Sequence, residues 1–210
     1  MREVVDVFWS FRSPYSYLVT PDLVRLRDDY DVEIRLRIVY PIAIRAPELL
    51  FTGDLRRPRY IGMDSIRRAE FLGLPFVLPA RPDPVVQDMQ TLAIAEEQPY
   101  IHRLSALGVE ATRRGKGLEY VVEVSALIFG GTDGWDQGEH LQNAVAKAGL
   151  DLADLEAAIA DGDQLQEVER NQSDLDAAGG WGVPTMVVRG EPFFGQDRIE
   201  TLRWRLDQYR

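Results

Sequence analysis

Hydrophobic and polar positions change period early in this chain, and the changes follow a definite order. Val4–Trp9 is a run of β-branched and aromatic residues, a strand signal. Pro14 then falls where a first-turn proline is tolerated, because its missing N–H would have no intrahelical partner. Residues 15–29 carry Tyr17, Leu18, Leu23, Val24 and Leu26 near helical spacing, and residues 31–39 alternate Val32, Ile34, Leu36 and Ile38 with charged neighbours. The pattern predicts strand, helix, strand, with Ser13 at the helix N-cap.

The alternation stops at Tyr40-Pro41, and a loop with Pro47, Thr52-Gly53-Asp54 and Pro58 follows. Helical periodicity returns over residues 60–72, ended by Gly73-Leu74-Pro75, and again over 85–114, with a break expected at Pro99. Gly115-Lys116-Gly117, Gly130-Gly131 and Gly149 separate further helices. Gln164–Ala177 reads as a helix closed by Gly179-Gly180. Residues 186–188 and 192–194 read as short strands around a tight turn at Arg189-Gly190-Glu191, and 197–209 as a last helix with Asp197 near its start. Residues 1–45 and 164–210 are therefore expected to form one discontinuous α/β unit, and residues 46–163 an inserted helical one.

Charge and cysteine content narrow the chemistry. The 210 residues hold 34 acidic and 24 basic side chains, a net charge of −10 that repels phosphate backbones, so no nucleic-acid partner is expected. The opening residues have no apolar leader and no window approaches a membrane span, which predicts a cytoplasmic protein without membrane association. Cysteine is absent, which removes disulfides, thiolate metal sites and any cysteine nucleophile. His102 and His140 lie in separate segments without a ligand pattern, so no metal is expected.

Against that background Ser13-Pro14-Tyr15-Ser16 stands out, because it reads as a Cys-Pro-Tyr-Cys redox loop with both sulfurs replaced by oxygen. Dithiol exchange is excluded, yet the position after the first strand is that of an active site. Far downstream, Gly182-Val183-Pro184-Thr185 leads into a β-rich run. Together the two segments make a thioredoxin-like signature, α/β with a large α-helical insertion.

The stretch from Phe8 through Phe11, Ser13, Pro14 and Tyr15 to Leu18 resembles the 2-hydroxychromene-2-carboxylate isomerase family, relatives of the kappa-class glutathione transferases and more distantly of DsbA-like disulfide oxidoreductases. Leu72-Gly73-Leu74-Pro75-Phe76, Gly182-Val183-Pro184-Thr185 and Phe194-Gly195-Gln196-Asp197-Arg198 continue the resemblance in order along the chain. It implies a glutathione-dependent isomerase. A thiolate would add reversibly to a conjugated double bond of a small aromatic carboxylate, with glutathione or another low-molecular-weight thiol as cofactor and a homodimer as the working form. By the same resemblance Ser13 is the catalytic residue that stabilises the thiolate; Ser16, one helical turn on, could support the site or stand as an inert relic position. The Val183-Pro184 bond is cis, Val183 meets the cysteinyl backbone, and Gln196 and Asp197 hold the γ-glutamyl end, with Asn171 a weaker candidate. A kappa-like transferase and a non-catalytic thiol-binding module are the alternatives.

Departures from the family fall where it contacts substrate. Asp54 stands where an asparagine is usual, Arg56 and Arg57 replace a nearby lysine, and Ser10 replaces an aspartate. Arg45, Arg56, Arg57 and Arg59 are the cations available for a substrate carboxylate. Phe11 and Trp181 are candidate ligand contacts or core aromatics. Each candidate also has a structural alternative: Ser13 as a helix cap, Asp197 as a helix-start acid, Asp54 as a turn residue, and the arginines as a solvated face.

Overall fold

Four strands, β1 (Val4–Trp9), β2 (Glu33–Ile38), β3 (Thr185–Val188) and β4 (Glu191–Phe194), form one sheet in the order β2-β1-β3-β4. The computed structural model describes residues 2–51, 55–78, 80–88, 90–91 and 93–210. β1 runs parallel to β2, with Val5 opposite Ile34, and antiparallel to β3, with Val7 opposite Met186. Parallel pairing requires a crossover, which the helical residues between β1 and β2 supply. The antiparallel pair β3 and β4 needs only the tight turn at Arg189 and Gly190, both with positive φ.

The predicted single helix after β1 is instead two, α1 (Pro14–Leu18) and α2 (Thr20–Tyr30). Pro21 is the cause, since it cannot donate to the Tyr17 carbonyl one turn back. The Thr20 hydroxyl takes that place, donating to Tyr17 O at 2.7 Å, and the chain changes direction at Val19.

Between the two halves of the sheet lie α3 (Ile42–Arg45), α4 (Glu48–Phe51), α5 (Arg56–Leu72), α6 (Pro99–Arg113), α7 (Gly117–Phe129), α8 (His140–Lys147) and α9 (Leu152–Ile159); α10 (Gln164–Ala177) and α11 (Ile199–Asp207) flank β3 and β4. Gly73, with φ 67°, ends α5 as the pattern predicts, and the Leu74 N–H returns to the Ala69 carbonyl. The helix expected to begin at residue 85 begins only at Pro99. The described residues of 85–98 form no helix and hold one isolated bridge, between Gln87 and Ile94. Side chains there take the backbone groups a helix would need. Asp83 accepts from Val85 N–H, Asp88 from Gln90 and Thr91 N–H, and Gln98 bonds both the N–H and the carbonyl of Val86.

One continuous cluster of buried side chains runs from Val5, Val7 and Trp9 through Leu104, Val124 and Phe129 to Leu202 and Leu206, so the sheet and the intervening helices share a core. Phe8, on the opposite face of β1, packs with Val39 and Leu175 in a smaller cluster. Phe11 is fully buried where the two parts meet. Its ring meets Tyr120 edge-on at 5.8 Å, and a Cβ at Gly108 would lie only 3.0 Å from it. The Phe11 side chain is therefore a packing element and not a ligand contact.

Candidate functional site

Because Pro14 opens α1, Ser13 is left as its N-cap, with φ −88° and ψ 113°. The Ser13 Oγ accepts from Ser16 N–H at 3.2 Å and donates to the Val183 carbonyl at 3.3 Å. A single hydroxyl thus ties the helix start to a loop near the other end of the chain. The Val183-Pro184 bond in that loop is cis. Thr185 Oγ1 donates to Gly182 O at 2.7 Å, and Gly195 N–H donates to Pro184 O at 2.9 Å, which brings the Gln196-Asp197 segment alongside. Ser16 is fully buried and faces the core.

The resemblance motifs converge physically. The Tyr17 hydroxyl donates to Pro75 O at 2.8 Å, and the Tyr17, Phe76 and Phe129 rings stack at centroid distances of 5.5 to 6.3 Å, so the Leu-Gly-Leu-Pro-Phe turn is held against α1. Gly182 is required by close approach, since a Cβ there would sit 2.5 Å from the Phe194 ring. Phe194 in turn packs on Trp181 with centroids 4.4 Å apart, and both rings remain partly open to solvent.

Tyr15, Asp64, Arg68 and Arg12, all outside the predicted set, also belong here. Tyr15 donates from its hydroxyl to Asp64 Oδ2 at 2.7 Å, and Asp64 accepts from Arg67 Nε at 2.7 Å. Burial, followed by the hydrogen bond to Asp64 and then its charge, raises the Tyr15 pKa, so the phenol stays protonated and donates. For Asp64, burial alone would raise the pKa, but the bonds from Tyr15 and Arg67 outweigh it and hold the carboxyl below its ordinary value. Arg68 Nε donates to Gln196 Oε1 at 2.9 Å, linking α5 to the turn before α11. Asp64 and Arg68 stand four residues apart on the same side of α5 as buried Ser65 and Ala69, a helical spacing already present in the sequence. Arg12 forms a two-pronged bond to Asp83 at 2.8 and 2.9 Å and also donates to Gln87 at 2.8 Å, fastening these two residues near Ser13.

The remaining candidates separate. Gln196 and Asp197 precede the last helix instead of beginning it. α11 starts at Ile199, after a turn closed by Arg198 N–H on Gly195 O, and the exposed Asp197 carboxylate pairs with Arg198 at 3.1 Å. Asn171 is structural: it is buried, accepts from Arg37 Nε at 2.7 Å and donates to Ile38 O at 3.0 Å. Arg56, Arg57 and Arg59 are exposed on the first turn of α5, where Arg57 donates to Leu49 O. Asp54 lies outside the described residues. Arg45 is the cation beside the cis-proline loop. Its Nη2 donates to Trp181 O at 2.9 Å, its Nε is buried without a partner among the described residues, and burial lowers its pKa against the pull of Asp176.

No helix of the described residues is long and apolar enough to cross a membrane. Among curated proteins the chain is similar to a 2-hydroxychromene-2-carboxylate isomerase from Pseudomonas putida, 25% identical over 206 residues covering 93% of this chain and 90% of that protein. The solved structure of a selenomethionine 2-hydroxychromene-2-carboxylate isomerase superposes with a TM-score of 0.72 at 23% identity, covering 98% of this chain and 95% of that one. A probable DsbA oxidoreductase from Streptomyces coelicolor superposes with a TM-score of 0.68 at 20% identity, covering 99% and 89%. The fold is thus the thioredoxin-like one expected. The DsbA-like thioredoxin domain model matches residues 4–207, the whole span that carries the sheet, the Ser13 turn and the cis-proline loop: the chain belongs to the DsbA-like thioredoxin domain family.

Proposed function

We propose that this protein is a glutathione-dependent isomerase acting on a small aromatic carboxylate of the 2-hydroxychromene-2-carboxylate kind. The observation that carries the reading is the Ser13 hydroxyl, bonded to the Val183 carbonyl beside cis-Pro184 in a chain without cysteine. A redox pair is missing, the serine turn and the cis-proline loop still face each other, and the similarity to the Pseudomonas putida isomerase spans nearly the whole chain.

The residues present fit a thiol with a charged γ-glutamyl end. Ser13 supplies a hydroxyl donor for the sulfur, the Val183 backbone a peptide edge, Arg68 a cation at Gln196, and Asp197 an exposed carboxylate for an ammonium group. When bound, glutathione supplies a sulfur nucleophile that adds reversibly to a conjugated double bond, so that the bond rotates as a single bond before the sulfur leaves with its electron pair. Ser13 would hold that sulfur in its anionic form. With only five residues, α1 contributes the lower part of the dipole effect, so the hydroxyl carries most of the stabilisation. Arg45 fits the substrate carboxylate better than Arg56, Arg57 or Arg59. It already stands against the Trp181 carbonyl, and an incoming carboxylate would relieve the cost of keeping a half-buried guanidinium charged. Trp181 and Phe194 offer open aromatic faces next to it. We place this activity in the cytoplasm.

The test is turnover of a hydroxychromene-carboxylate substrate with and without glutathione, with product analysis. Isomer formation that requires glutathione and leaves it unconsumed supports the proposal. A glutathione conjugate as product would make the protein a kappa-like transferase, and no glutathione-dependent turnover would leave a thiol-binding module.

A further inference from the structure

Nine of the twelve large hydrophobic side chains left exposed among the described residues fall between residues 49 and 86, and α5 lies at the centre of that stretch. The inner side of the helix carries Asp64, Ser65, Arg68 and Ala69, which meet Tyr15, Gln196 and the core. At about 3.6 residues per turn, the outer side carries Arg59, Tyr60, Met63, Ile66, Arg67 and Phe71. Met63 is 56%, Ile66 49% and Phe71 78% exposed, so the apolar part of this side is open to solvent. The charge of α5 is opposite to that of the chain. The helix holds five arginines against Asp64 and Glu70, a net of +3 within a chain of net −10. Arg67 lies over the Tyr60 ring at 5.3 Å and Arg68 over the Phe71 ring at 5.2 Å, while exposed Arg59 has no ion-pair partner among the described residues.

We propose that the outer side of α5 docks on an anionic lipid bilayer, with the helix lying in the plane of the interface. The expectation of no membrane association came from leader and spanning windows, which do not register a helix of this kind. An interfacial helix needs neither the length nor the all-round apolarity of a spanning one. Its arginine heads stay at the level of the phosphates while Met63, Ile66 and Phe71 reach the acyl boundary. Screening decides which charges the lipid meets: at physiological salt the Debye length is about 8 Å, so acids across the molecule are screened while the arginines of α5 act. Side chains projecting outward from a helix need a matching cavity in a protein partner, whereas lipid yields to them, and arginines interleaved with aromatic and aliphatic residues suit the headgroup boundary. Docking would bring the Ser13 turn to about one helix diameter, about 10 Å, from the lipid, because the inner side of α5 bonds Tyr15. It does not depend on the thiol chemistry proposed above.

The experiment is co-sedimentation of the full chain with vesicles, in the absence of glutathione and substrate, with circular dichroism as the check on folding. Vesicles of phosphatidylcholine are compared with vesicles in which about one-third is phosphatidylglycerol. The wild type should bind the anionic vesicles at least about tenfold more tightly, and the preference should fade as salt is raised from about 0.1 M to about 0.5 M. Arg59→Glu should weaken that binding about tenfold or more, since it changes the local charge by two. M63S/I66S, which leaves every charge in place at two exposed positions, should weaken it to a similar degree without unfolding the chain. Because the chain has no cysteine, Met63→Cys carries a single environment-sensitive fluorophore, whose emission should shift to the blue on anionic vesicles. The same label at exposed Ala153 of α9, introduced as Ala153→Cys, should not shift. No binding, equal binding to the two vesicle types, or full binding by the folded R59E or M63S/I66S variants would each overturn the proposal. So would a label at residue 63 that is already shielded before vesicles are added, which would mean that protein and not lipid covers this face.

Discussion

Replacing Ser13 by alanine tests the site at its centre. The Ser13 Oγ has two bonds in the structure, accepting from Ser16 N–H at 3.2 Å and donating to Val183 O at 3.3 Å. A sulfur anion would draw the hydroxyl proton away from Val183. The gain is that of a charge-assisted bond, about 1.5 to 3 kcal/mol, less the long neutral bond given up, about 0.5 to 1 kcal/mol. The difference, about 0.5 to 2.5 kcal/mol, corresponds to a rise of roughly one unit in the bound-thiol pKa when the hydroxyl is removed. Folding should weaken by about 1 kcal/mol from loss of the cap, which leaves a folded protein to assay. The measurement is thiolate absorbance against pH at saturating glutathione, read as the difference from the ligand-free protein, and the absence of cysteine from the chain means that no protein thiolate contributes. Coincident titration curves for wild type and S13A, both folded and saturated, would refute the role of the hydroxyl and return Ser13 to a helix cap.

Asp197→Asn should weaken glutathione binding by about tenfold, the lower end expected for a charge-assisted contact at an exposed carboxylate, while the thiolate shift at saturation persists; calorimetric titration checks the first and the absorbance curve the second. Tyr15→Phe removes one donor from Asp64 and should cost about 1 to 2 kcal/mol at neutral pH by urea unfolding. Because the folded carboxyl lies below its ordinary value, its contribution is present above about pH 4 and is lost as pH falls through the folded value, so the gap between wild type and Y15F should close in acid.

Signals within a few residues were legible along the chain. Val4–Trp9, the helix end at Gly73 and the whole of Gln164–Ala177 match the observed elements, because β-branching, apolar period and glycine at a left-handed position act through local sterics. The same holds for Ser13 as a cap, set by its place before Pro14. Where local signals conflicted, bonding to neighbours decided. The apolar spacing of 85–98 suggested a helix, but Asp83, Asp88 and Gln98 bind the backbone there, and Arg12 holds Asp83 from 71 residues away.

Sequence by itself determined that this chain has no thiol of its own, that a serine stands at the head of the first helix, and that a valine-proline pair opens a late strand, since these are matters of residue identity and short-range backbone preference. Only the tertiary structure decided that the Ser13 hydroxyl and the Val183 carbonyl lie within hydrogen-bond reach, that Phe11 turns into the core while Trp181 stays open, and that α5 offers Asp64 and Arg68 to the site on one side and Met63 and Ile66 to solvent on the other. The physical reason is that side-chain direction and contact between distant segments follow from how the shared core packs, and packing is a property of all its members at once.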